Sequence, residues 1–170
     1  MAVPLFVRRI GRIGTHAAAL LLLCLSPALA ATTTSTFTVQ VAITASCTIN
    51  SAATLNFGSQ GVFTANVDQT STLQVQCTNT TPYNIGLNAG TGTGATVAVR
   101  KLTSGANTVN YSLYSDSGHA TVWGTTVGTD TVAATGNGAA QSYTVYGRIP
   151  AQTTPAPGTY TDTITVTVTY

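Results

Sequence analysis

The chain contains no glutamate, and only 6% of its residues are charged. Its four acidic residues, Asp68, Asp116, Asp130 and Asp162, are scattered. They spell neither a paired-carboxylate site nor a calcium loop with ligands at alternating positions. Basic residues are as sparse. Arg8, Arg9 and Arg12 crowd the N-terminus, leaving Arg100, Lys101 and Arg148 for everything that follows. That remainder is close to neutral, so nucleic-acid binding, which needs a basic surface to neutralise phosphates, is excluded. Histidine is scarce too. His119 is the only one after residue 16, and it sits in a Ser/Gly/Asp turn beside Ser115 and Asp116. A nucleophile–base–orienter triad is made by geometry rather than by proximity in sequence, so these three read as turn residues and no catalytic residue is expected. Gly90, Gly92 and Gly94 make no phosphate loop, because no helix with a lysine follows. No cofactor is implied.

The N-terminal stretch accounts for the nominal basicity. Its three arginines precede a short apolar run, Ala17 to Leu25, which is shorter than the ~20 residues that span a bilayer. Pro27 and the small-x-small triplet Ala28-Leu29-Ala30 follow. Residues 1–30 therefore read as a secretory signal peptide cut between Ala30 and Ala31, in preference to a retained membrane anchor. Beyond the leader only Cys47 and Cys77 remain of the three cysteines. In an exported chain an even pair reads as a disulfide. A zinc site or redox pair would need closer spacing or further ligands.

Threonine, alanine, glycine and valine dominate the rest, and no helical period runs for three turns. Period-two alternation recurs instead, the signal of strands that bury one side. In Thr32–Ala45, residues Phe37, Val39, Val41, Ile43 and Ala45 share one face, and Thr36, Thr38, Gln40 and Thr44 share the other. Similar alternation marks Ser71–Cys77, Tyr83–Leu87, Val109–Leu113 and Gln141–Ile149, and Val97–Leu102 reads as a strand ending at the Gly105-Ala106-Asn107 turn. It is clearest in Tyr160–Tyr170, where Tyr160, Ile164, Val166, Val168 and Tyr170 oppose five threonines, with Asp162 the exception. Short strands at roughly ten-residue spacing, joined by Gly/Pro/Asn turns, predict an antiparallel β-sandwich. Trp123 and the tyrosines suit core anchors better than a carbohydrate platform. The two outermost strands carry almost no charge, proline or bulge signal, so they are open pairing templates that meet each other or another molecule.

An ordered series of short motifs carries a resemblance. Cys47-Thr48-Ile49, Leu55-x-Phe57-Gly58, Val75-x-Cys77, Tyr83-x-Ile85-x-Leu87 and Tyr111-x-Leu113-Tyr114-x-Asp116 resemble the spore coat protein U domain family. Trp123-Gly124, Tyr146-Gly147-Arg148-Ile149-Pro150 and Gly158-Thr159-Tyr160-x-Asp162 continue the likeness. That family includes subunits of archaic chaperone–usher pili of Gram-negative bacteria.

The resemblance implies an all-β, incomplete immunoglobulin-like sandwich, completed by a strand from another molecule. Residues 31–46 would be a donor-strand extension and 47–170 the acceptor domain. Phe37, Val39, Val41 and Ile43 would enter a neighbour's groove, whose edge strand carries Tyr160, Ile164, Val166, Val168 and Tyr170. The implied partners are other copies or related subunits, a periplasmic chaperone and an outer-membrane usher. The product would be a cell-surface fibre. Other readings stay open, one for Phe37–Ala45 and two for the whole chain. The stretch could be the first strand of its own sandwich. The protein could be a secreted protective coat or, less readily, a fibre-tip adhesive module.

Overall fold

The computed structural model describes residues 29–170, so the expected signal peptide lies almost entirely outside the described residues. Contacts group Val41–Tyr170 as one compact unit. Within it are eight strands: β1 (Cys47–Ala52), β2 (Val67–Cys77), β3 (Pro82–Leu87), β4 (Arg100–Ser104), β5 (Asn107–Tyr114), β6 (Val132–Thr135), β7 (Ala140–Ile149) and β8 (Val166–Thr169). All pairs are antiparallel. Five strands form one sheet in the order β1-β2-β7-β5-β4, and three form the other in the order β6-β3-β8. This is the predicted β-sandwich.

The core follows from the alternation. Leu73, Val75 and Cys77 of β2, Tyr83, Ile85 and Leu87 of β3, Val109, Tyr111 and Leu113 of β5, and Val145 and Ile149 of β7 are all buried. These in-phase side chains meet between the sheets, while the intervening Thr, Ser, Gln and Asn face outward. Trp123 is buried with them and donates from Nε1 to the Ile85 carbonyl at 2.7 Å. It is a core anchor with its one polar atom satisfied. The Cys47–Cys77 disulfide joins the first residue of β1 to the last of β2, which are directly opposed partners.

Several expected boundaries move. The Val97–Leu102 strand is replaced by β4, Arg100–Ser104, because Val97–Val99 makes a turn in which Thr96 N–H bonds the Val99 carbonyl. β2 starts earlier than Ser71, since Val67–Thr70 finds partners in Tyr146–Ile149. The last strand is shorter than its pattern. Only Val166–Thr169 pairs with β3, because Asp162 turns inward to polar partners and interrupts the run. Thr32–Ala45 forms no strand at all. Alternation licenses a strand but supplies no partner for its backbone groups.

Candidate functional site: a groove beside the last strand

β8 is an outer strand of the three-stranded sheet, bonded to β3 alone among the described strands. Beside it the sandwich is open. One wall of the opening is the segment after β1, which carries Leu55 and Phe57; the other is the approach to β8, with Tyr160, Ile164 and Val166. Leu73 of β2, Leu87 of β3, Leu102 of β4, Tyr111 and Leu113 of β5 and Val145 of β7 form the floor. The inner section holds about 300 Å³. An outer section of about 860 Å³ continues it towards Val62, Phe63 and the Pro155–Tyr160 loop. Leu55, Phe57, Leu102 and Asp162 line both sections. A groove with an apolar floor beside an unpaired strand edge can take an extended segment: the edge bonds backbone and the floor receives alternate side chains.

Polar contacts fix the β8 wall. Asp162 accepts from Thr91 N–H at 2.7 Å, Thr91 Oγ1 at 2.9 Å, Thr163 N–H at 2.8 Å and the Tyr111 hydroxyl at 2.8 Å. The chain packs so tightly there that Gly90, at φ +82°, leaves no space for a Cβ against the carboxylate. Burial, reinforced by the Asp162 carboxylate, holds the Tyr111 phenol protonated far above its ordinary range. Asn88 extends the β3–β8 ladder, bonding Thr165 through its own N–H and through Oδ1.

The sequence-predicted residues fall in three places. Ile164 and Val166 line the inner section, Tyr160 lines the outer one, and Val168 is half-buried on β8. Tyr170 is 60% exposed. Phe37, Val39, Val41 and Ile43 are 82–87% exposed and belong to no strand. Ala30 and Ala31 are exposed as well. Ser115, Asp116 and His119 are not assembled as a triad. Asp116 accepts from Thr121 N–H and, less closely, from Ala120 N–H, and these bonds hold its carboxyl below the usual carboxylate range. His119, at φ 56°, lies edge-on to Tyr114 and Tyr146 with Nε2 3.7 Å from Asp68. Among the described residues no three His, Cys, Asp or Glu side chains cluster as metal ligands.

Sequence reasoning missed Arg100. It is fully buried, and no carboxylate lies within salt-bridge distance of it among the described residues. Its guanidinium donates to four carbonyls instead: Asn88 (2.8 Å), Val97 (2.7 Å), Leu87 (2.9 Å) and Trp123 (2.6 Å). It thereby ties β3, which carries β8, to the loops at the end of the floor. The available signal was phase, since Arg100 alternates with Leu102 onto the inner face opposite Tyr111. Burial pushes its pKa down from the usual guanidinium value.

The Spore Coat Protein U domain profile matches residues 33–167. The chain belongs to this family. Within it, Protein U of Myxococcus xanthus is 36% identical over 168 residues, covering 90% of this chain and 93% of that protein. A chain of the CsuC–CsuE chaperone–tip adhesion subunit pre-assembly complex, from the archaic chaperone–usher Csu pili of Acinetobacter baumannii, is similar in structure. It gives a TM-score of 0.54 at 24% identity over 75% of this chain and 40% of its own length. That likeness places this member of the Spore Coat Protein U domain family among immunoglobulin-like sandwiches. The family match begins at residue 33, so it takes in Phe37–Ile43 as well as the sandwich.

Proposed function

We propose that this chain is a structural subunit of a secreted fibre, assembled head to tail by strand donation between copies or related subunits. The observation that carries the reading is a pair of complementary features in one chain. Phe37, Val39, Val41 and Ile43 expose four alternating apolar side chains, and an apolar groove lies open beside β8. Burying four such side chains would contribute about 6–12 kcal/mol before ordering costs. Pairing between unlike surfaces does not close on itself, so it gives filaments.

Export fits this role, with the leader removed between Ala30 and Ala31 and Cys47–Cys77 oxidised outside the cytoplasm. A periplasmic chaperone would cover the groove before assembly, and an outer-membrane usher would mediate exchange. The fibre would serve surface attachment and biofilm formation, a role that needs no catalysis. The chaperone–subunit complex named for the Acinetobacter baumannii structure supports this set of partners. A secreted protective coat is the second reading, favoured by the identity to Myxococcus xanthus Protein U.

Val41→Lys tests strand donation. Fibres on the cell surface should disappear in electron micrographs, while the subunit still copurifies one-to-one with a chaperone from a periplasmic extract. Normal fibres from the variant would sink the reading. A stable free monomer with no chaperone in the wild-type extract would favour the coat.

A further inference from the structure

Gly147 stands inside β7, two residues before its last, between buried Val145 and buried Ile149, with its φ outside the left-handed region. Glycine weakens a strand interior, so it needs a reason there. Turn geometry is not the reason, since Gly147 pairs in register with Gln69 on one side and Leu113 on the other. Space is. A Cβ at this position would lie 2.7 and 2.9 Å from the two Leu55 methyls and 3.0 Å from Phe57 Cζ.

Leu55 and Phe57 are groove residues. Both line the inner and the outer section, and neither belongs to a strand. Gly147 is thus a notch in the core-facing surface of β7 into which the groove wall sinks. Interiors are close-packed, so a side chain displaced from the notch moves where volume is free. Beside Leu55 that free volume is the groove.

We propose that Gly147 sets the depth of the groove, and with it the size of the side chains the groove accepts, by seating Leu55 and Phe57 below the path of the incoming strand. The inference rests on the strand-accepting role proposed above. Gly147 acts through Leu55 and is a positioning residue.

Binding of the N-terminal arm, Thr32–Ala45, tests it. The full-length chain, its own arm disabled by Val41→Lys, is titrated with a labelled peptide of Thr32–Ala45. Gly147→Ala should weaken binding by roughly tenfold or more, the scale on which overpacking acts. Adding Leu55→Ala to Gly147→Ala should restore most of that loss, which a general loss of fold would not allow. Leu55→Ala alone should shift preference towards a peptide with Phe in place of Val41. Equal binding by Gly147→Ala and its parent would overturn the inference while leaving strand acceptance intact. Absence of binding by the parent itself would instead defeat the strand-accepting role, and the inference with it. Should Gly147→Ala not fold, the Leu55→Ala preference decides: an unchanged preference overturns the inference.

Discussion

The two ends of the described chain share a pattern and meet different fates. Phe37–Ile43 and Ile164–Val168 both place large apolar residues at every second position, with Thr38, Gln40 and Ala42 between them in the first and Thr165 and Thr167 in the second. The first stretch leaves its apolar side chains 82–87% exposed and forms no strand. The second is half-buried and, from Val166 on, bonded to β3. Intrinsic propensity is nearly the same, so the difference lies in what stands alongside. β8 has Leu87, Ile85 and Asn84 as ladder partners, whereas the arm has none. A strand pattern states a capacity, and a neighbour realises it.

Matched substitutions would break this comparison most sharply. Val166→Lys should destabilise the subunit itself by about 4 kcal/mol, combining lost burial with a poorly solvated charge. A thermal melt would register it. Val41→Lys should leave the melting temperature of the isolated subunit within a degree or two and remove assembly completely. Equal melting shifts for the two would mean that the arm already belongs to its own sandwich.

The disulfide comes next in size. It fixes β1, which starts just after Thr32–Ala45, to its neighbour β2 in the large sheet. Closing a loop of 30 residues is worth about 3–4 kcal/mol in the chain-entropy picture. Replacing Cys47 and Cys77 together by serine should lower the urea midpoint accordingly, without changing which face of the arm is apolar. A loss under about 1 kcal/mol would show that β1 is held by its ladder to β2 alone.

A smaller effect concerns the approach to β8. Tyr111→Phe removes the hydroxyl that bonds Asp162 and should cost about 1–3 kcal/mol at neutral pH. Its pH dependence has a defined sign. The folded-state pKa of Tyr111 is raised by burial and then by Asp162. The phenol's contribution is therefore complete below its ordinary pKa of about 10 and is lost as pH rises beyond it. Wild type should lose stability between pH 10 and 12 more steeply than the variant, as urea titrations at several pH values would reveal. Parallel curves would show that Tyr111 ionises without consequence for the wall.

How much of this was readable beforehand divides along the same line. Alternation marks the strands whose partners are regular, and β2, β3, β5 and β7 stand where their patterns put them, within a few residues. The core residues follow from that phase. What the pattern could not carry is anything made by contact across the fold. Asp162 looks like a flaw in the Tyr160–Tyr170 alternation until Thr91 and Tyr111 are beside it. Arg100 looks like a surface cation until four carbonyls surround it. Gly147 looks like a weak point in a strand until Leu55 fills its place. Each departs from the local rule because it answers to residues far away in sequence, and all three lie in or beside the groove.

The smallest effect serves as the control for the rest. Arg148 on β7 and Asp68 on β2 are cross-strand partners on the outer face of the large sheet, joined by two 2.7 Å bonds from the guanidinium. The hydrogen bonds from Arg148 hold the Asp68 carboxyl below its ordinary range. The pair's contribution is therefore present at pH values above about 4 and fades as acid protonates Asp68. With 44% of the Asp68 side chain exposed, solvent screening limits it to about 0–1 kcal/mol. Asp68→Asn should lower the melting temperature slightly at pH 7 and not at all at pH 2. Fibre assembly should be untouched, since neither residue lines the groove. Loss of fibres in Asp68→Asn with the fold intact would move the assembling surface from the β8 edge to the outer face of the five-stranded sheet.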